Sequence, residues 1–159
     1  LSDTFIYREA LPDEALLVSG IAFDSKASNG YSAGFMEACR EELTYSSKQI
    51  SSDQYHFLVA EGNGEVVGFA ALEILDGKEC TIEGLFVLPE YKSLGLGSGL
   101  IDATLDWARR EGMTGIHIQS DPGAVGFYKG IGARVVGSSQ SGSIPGRMLP
   151  QLFLDLTKG

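Results

Sequence analysis

Val87-Leu88-Pro89-Glu90-Tyr91-Lys92-Ser93-Leu94-Gly95-Leu96-Gly97-Ser98-Gly99-Leu100 is the stretch that decides the fold. An apolar strand, Thr81 to Val87, runs into a glycine-rich turn, and the turn opens directly into an amphipathic helix. Glycines 95, 97 and 99 carry no Cβ, so successive N–H groups can converge on one point. The helix behind them adds unpaired N–H groups and the positive end of its dipole. Such a turn binds anions, and a pyrophosphate suits it.

Three phosphate-binding patterns compete for these residues. A P-loop needs Gly-x-x-x-x-Gly-Lys-Ser/Thr, and no Lys-Ser or Lys-Thr follows the glycines. A dinucleotide fingerprint needs Gly-x-Gly-x-x-Gly close behind a strand; here the third glycine falls one residue early, at Gly99, after a long connection from Leu88. The third pattern is Gln/Arg-x-x-Gly-x-Gly/Ala behind a strand ending in Val-x-Pro. Lys92-Ser93-Leu94-Gly95-Leu96-Gly97 after Val87-Leu88-Pro89 fits it, with Lys for Gln or Arg. This resembles the acetyl-CoA-binding motif of the GNAT superfamily of N-acetyltransferases. A second patch, Asp121-Pro122-Gly123-Ala124-Val125-Gly126-Phe127-Tyr128, resembles that superfamily's Asn-x-x-Ala-x-x-Phe-Tyr, with Asp121 where Asn is common. By itself the first stretch also reads as a Gly-rich helix start without a ligand.

The chain has 159 residues, 43% apolar and 21% charged, the profile of one globular domain over residues 1–159. No run approaches the ~20 apolar residues of a membrane span. The opening Leu1-Ser2-Asp3-Thr4 has neither a basic nor an apolar signal region, so no signal peptide is expected. Cys39 and Cys80 are far apart, which points to a reduced, cytoplasmic compartment. Two histidines and two scattered cysteines argue against a structural zinc site. A net charge of −9 with no basic stripe argues against nucleic acid and mildly favours a cationic acceptor. An anionic cofactor must then be held by local geometry.

Periodicity places a strand at Thr4–Glu9, a helix from Pro12 through Phe23, and a polar loop from Asp24 to Gly30. A second helix follows over Tyr31–Thr44, with Phe35, Cys39 and Leu43 on one face, and then a polar connector, Ser46–Gln54. Strands over Tyr55–Glu61, Glu65–Leu75 and Glu79–Val87 form a meander joined at Gly62-Asn63-Gly64 and Asp76-Gly77. A helix over Ser98–Glu111, a strand over Gly115–Gln119, a helix over Gly123–Lys129 and a strand pair, Arg134–Ser139 and Leu149–Leu156, complete the chain. The order β-α-α-β-β-β-α-β-α-β-β implies an α+β fold: about seven mostly antiparallel strands with helices packed on them. The GNAT fold has the same order.

The resemblance implies direct transfer of acetyl from acetyl-CoA to an amine. Tyr128 would protonate the departing thiolate; a phenol of ordinary pKa ~10 keeps its proton at neutrality. The strand Leu85-Phe86-Val87 would bind the pantetheine and thioester through its main chain. The backbone from Lys92 through Ser93, Leu94, Gly95, Leu96, Gly97 and Ser98 would hold the pyrophosphate. Asp121 stands at a cofactor-contacting position. For a general base, Glu83 lies two and four residues from Leu85 and Val87, on their face unless a bulge intervenes. Glu73, His117 and a water relay are alternatives. Acceptor contacts are expected from Ser25–Tyr31 and from Ser141–Arg147, where Arg147 would clamp a carboxylate on the acceptor or pair with a surface acid. The expected activity is N-acetylation of a small primary amine. The alternatives are a protein N-terminus or lysine as acceptor, or an acyl-CoA-binding module without turnover. A homodimer is the assembly that the resemblance suggests.

Overall fold

In the computed structural model, residues 4–157 are described. Residues 1–3, which enter the expectation of no signal peptide, and 158–159 lie outside them. Seven strands form one sheet: β1 (Phe5–Glu9), β2 (Tyr55–Gly62), β3 (Glu65–Ile74), β4 (Glu79–Val87), β5 (Gly115–Gln119), β6 (Arg134–Gln140) and β7 (Met148–Asp155). Their spatial order is β1-β2-β3-β4-β5-β7-β6, antiparallel except where β4 meets β5. The hairpin between β2 and β3 turns on Asn63 (φ 54°) and Gly64 (φ 79°), consecutive left-handed residues whose twist suits a two-residue turn.

The central strands are apolar along nearly their whole length because both faces are covered. Phe57, Val59, Phe69 and Ala71 pack with α1 (Ala15–Ala27) and α2 (Ala33–Cys39), burying Val18, Ile21, Met36 and Cys39. Leu58, Ala60, Val67 and Ala70 face the opposite way, onto Leu96 and Leu100 at the start of the long helix Leu96–Arg110. That helix buries Ile101, Leu105 and Ala108 and exposes Asp102, Asp106 and Arg110; Gly112 (φ 79°) stops it. Among the described residues, no helix is long and apolar enough to cross a membrane.

Three boundaries depart from the sequence reading. The connector Ser46–Gln54 contains a short helix, α3 (Ser47–Ser51), so the order has three helices before β2. Its signal was present as a capping box: Ser46 Oγ accepts from Gln49 N (3.1 Å) while Gln49 Oε1 accepts from Ser46 N (2.8 Å). The second helix is short, beginning after its Ser32 cap and ending at Cys39, with a turn carrying the chain to Leu43. The first helix runs on to Ala27, since nothing breaks it before Gly30 (φ 87°), and Leu16 in its first turn is 88% exposed. The long helix Leu96–Arg110 is α4, and the short helix Val125–Gly130 that follows the 3₁₀ turn Pro122–Ala124 is α5.

Candidate active site

The site opens where two parallel strands part. β4 and β5 pair only across Glu79–Thr81 and Gly115–His117. On the other edge of β4, Leu72 opposes Ile82 while the adjacent Ala71 opposes Gly84, so Glu83 is the extra residue of a β-bulge. A bulge bends its strand and re-aims a side chain. Here the displaced Glu83 carbonyl accepts from the Tyr45 hydroxyl at 3.0 Å. Gly84 makes room for that contact, because a Cβ there would sit 2.8 Å from the Tyr45 hydroxyl. Beyond the bulge Leu85, Phe86 and Val87 still pair with β3, and their other edge has no strand partner among the described residues.

Two cavities open off this gap and share Leu85, Phe86, Asp121 and Ala124, so they form one trough. The larger, about 390 Å³, is lined by Val87, Lys92, Ser93, Gly95, Leu96, Gly97 and Ser98 as well. Ser93 (φ 75°) and Gly95 (φ 79°) are both left-handed, which folds the turn back under the start of α4. The first bond of that helix runs from Gly99 N to Gly95 O (3.0 Å), and no side chain caps its leading N–H groups. A Cβ at Gly97 would meet only Phe127, at 4.0 Å, so the chain leaves open space there. Gly99 differs: a Cβ would collide with the Tyr7 ring of β1, so this glycine serves packing and not the cavity. Lys92 Nζ donates to Ser28 Oγ (2.8 Å) at the end of α1. Leu94 does not line the trough; it is 50% exposed.

The smaller cavity, about 290 Å³, gathers Glu83, Tyr128, Asp121, Lys26, Glu42 and Arg147. Tyr128 is 7% exposed, and its hydroxyl has no protein hydrogen bond among the described residues. Burial, then the Asp121 charge, push its pKa up to about 12. Glu83 is exposed at the cavity mouth, yet the neighbouring protein still desolvates its carboxyl. That desolvation, a hydrogen bond to the Glu73 carboxyl and the charges of Glu73 and Glu42 raise its pKa to about 7. Glu73 stands behind it on β3, approached by Gln54 Nε2 (3.4 Å) and the Tyr55 hydroxyl (3.5 Å). His117, the third candidate base, is absent from the trough lining and lies 2.8 Å from Glu79 Oε1.

The structure therefore brings Glu83, Tyr128, Leu85, Phe86 and Asp121 to one place, and the Lys92–Ser98 turn to the adjoining cavity. Sequence reading missed Glu42, and it treated Lys26 as a loop residue. Because α1 persists to Ala27, Lys26 falls one turn beyond Ala22 on the buried stripe and reaches the cavity.

Comparison with known proteins bears on the fold and the family. Residues 24–133 match the Acetyltransferase (GNAT) family. The chain is 30% identical over 138 residues to the 5-NmdU N-acetyltransferase of Pseudomonas phage PaMx11, covering 86% of this chain and 92% of that protein. It is 27% identical over 116 residues to an uncharacterized N-acetyltransferase of Methanocaldococcus jannaschii, covering 67% of this chain and 51% of the relative. The chain thus spans about half the length of that relative and of a second, from Archaeoglobus fulgidus. Among solved structures, a GCN5-related N-acetyltransferase of Rhodopseudomonas palustris superposes with a TM-score of 0.78 at 22% identity, covering 98% of each chain. The PaiA N-acetyltransferase of Thermoplasma acidophilum, solved with coenzyme A, gives 0.76 at 17% identity, covering 96% of this chain and 99% of that one. At those identities the likeness is one of fold; the family match over most of the sequence goes further, and the chain belongs to the GNAT family of acetyltransferases.

Proposed function

We propose that this chain moves an acetyl group from acetyl-CoA to the primary amine of a small molecule, by direct attack with both substrates bound. The observation that carries the reading is the single trough, in which an anion-binding turn and the Glu83–Tyr128 pair meet across a parted strand. The residues fit an acyl-CoA: the open space at Gly97 and the uncapped N–H groups of α4 suit a pyrophosphate, and the free edge of Leu85–Val87 suits an amide-bearing chain. Bound acetyl-CoA supplies an acetyl group activated as a thioester.

Glu83 takes the proton that an ammonium must lose before its nitrogen attacks, directly or through water. A carboxyl with pKa about 7 is matched to that task near neutrality. Backbone N–H groups on the free edge of β4 hydrogen-bond the carbonyl oxygen as charge builds there. Tyr128, protonated at neutral pH, donates to the sulfur as the carbon–sulfur bond breaks and is reprotonated through water by the proton that the acylated nitrogen sheds, while Glu83 returns its own proton to solvent. The cavity of about 290 Å³ is of a size for a small amine.

Calorimetric titration with acetyl-CoA, with pantetheine as the control, tests the cofactor half. Micromolar binding that disappears with pantetheine is expected, followed by thiol release on adding an amine. Absence of acetyl-CoA binding would overturn the proposal.

A further inference from the structure

We infer that the acceptor amine also carries a carboxylate, received in the smaller cavity by Arg147 and Lys26. The amine end of this statement rests on the acetyltransfer reading above; the carboxylate end rests on donors that the fold leaves unspent.

Lys26 is the first of these. Its side chain is only 9% exposed, yet Asp121 Oδ1 and Glu42 Oε1 stand 3.7 and 3.9 Å from Nζ, beyond hydrogen-bond reach. Among the described residues Nζ donates no hydrogen bond. Ion pairing with those two carboxylates and the Tyr31 and Phe35 rings, each 5.9 Å away, offsets its charge, but an ammonium carries three donors and these stay open to a ligand.

Arg147 is the second, and it approaches the same oxygen of Asp121. Its side chain is 19% exposed and sits 3.8 Å from Asp121 Oδ1. Of its five donors, one is used, from Nη2 to the Tyr31 hydroxyl at 3.1 Å. Asp121 Oδ1 thus lies within ion-pair distance of both cations and hydrogen-bonds neither.

The guanidinium is also held in place before any ligand arrives. It lies over the Phe35 ring at 4.9 Å and the Tyr31 ring at 5.4 Å, and those rings stack on each other at 4.2 Å. The turn that carries it is tied at several points. Ser141 N donates to Arg147 O (2.7 Å), Arg147 N donates to Ile144 O (3.2 Å), and Ser141 Oγ accepts from Ile144 N (3.1 Å). Cys39 Sγ and Ser143 Oγ, 3.5 Å apart, join the turn to α2. A fork fixed in this way loses little freedom on binding, and its planar geometry matches a carboxylate's two oxygens.

Glu83 lines the same cavity, so a carboxyl suited to an ammonium shares it with two cations whose donors suit a carboxylate. A molecule with both groups is neutral overall, and a protein of net charge −9 does not repel it. The chemistry selects an amino acid or another small amino-carboxylate over a simple amine.

The test measures thiol release from acetyl-CoA with glycine, alanine, glutamate, phenylalanine and lysine, each against its carboxamide. For at least one pair, kcat/KM favours the acid by about 10- to 100-fold, the span expected of hydrogen bonds to a charged group. Arg147→Gln and Lys26→Met each shrink that ratio, chiefly through KM, and Arg147→Lys restores part of it. An acid-to-amide ratio near one for every pair, or a ratio unchanged by Arg147→Gln, overturns the inference. A second measurement, calorimetry with the N-acetyl amino acids and their carboxamides, needs no turnover. If no amine releases thiol but wild type still binds an N-acetyl acid in preference to its amide, and Arg147→Gln loses that preference, the carboxylate site stands and the acetyltransfer reading falls. Thiol release with no acid preference does the opposite: acetyltransfer stands and the carboxylate site falls. Failure of every N-acetyl acid to bind better than its amide, together with no acid preference in turnover, sinks the carboxylate site.

Discussion

Replacing Glu83 by Gln sets stability against activity. The carboxyl's pKa rises from 4.5 to about 7, first through desolvation and then through Glu73 and Glu42. A raised pKa means that the fold favours the protonated form. The stability this group contributes is fully present below about pH 4.5 and is lost as pH climbs through 7. An interval of that size corresponds to about 3 kcal/mol at 1.36 kcal/mol per pH unit. The open cavity mouth admits solvent that screens the charge, which leaves ~1 kcal/mol. Glu83→Gln removes that penalty and still offers Glu73 a hydrogen-bond donor. Thermal melts should coincide for variant and wild type at about pH 4 and separate at about pH 8, the variant melting about 2–4 °C higher. In the same variant kcat/KM at neutral pH falls on the order of 10²-fold, and the wild-type rise in rate around pH 7 flattens. A variant that melts lower than wild type at pH 8 would refute the charge pairing of Glu83 and Glu73. A rate that still climbs through pH 7 would show that another group is the base.

Tyr128→Phe should retain most acetyl-CoA affinity and lose kcat on the order of 10²-fold, read by single-turnover thiol release; a wild-type rate would remove Tyr128 from the chemistry. The two neighbouring glycines should separate cleanly. Gly97→Ala meets only open space and keeps or raises the melting temperature, while acetyl-CoA affinity by calorimetry falls at least ~10-fold. Gly99→Ala forces the Tyr7 ring aside and costs about 1–3 kcal/mol in denaturant unfolding. Equal stability losses in both variants would mean that Gly97 is a packing glycine too.

Much of this protein was legible in one dimension because its signals are local. A strand, a Pro-containing turn and spaced glycines before an apolar-periodic helix specify their own geometry, so Val87–Leu100 disclosed both the α4 start and the glycine-rich turn that precedes it. Hairpin residues such as Asn63-Gly64 and Asp76-Gly77 likewise set the meander. The capping box at Ser46 and Gln49 was equally local, but it was hidden in a segment whose polar composition reads as a connector. Other features depend on what lies opposite. Glu83 and Glu73 stand ten residues apart in the chain; the antiparallel pairing of β3 with β4 brings them together, and desolvation followed by that contact lifts the Glu83 carboxyl toward neutrality. Gly97 and Gly99 look alike in sequence; Tyr7, from the first strand, tells them apart. Lys26 and Arg147 come from opposite ends of the chain and meet only because α1 and the β6–β7 turn flank the gap between β4 and β5. The sequence by itself determined the seven strands, the long helix and the glycine-rich turn before it, since each follows from backbone preferences over a few residues. Tertiary structure alone decided that Glu83 stands by Glu73 and that Lys26 and Arg147 line one cavity with Asp121, because these residues are remote in the chain and only folding sets their burial and separation.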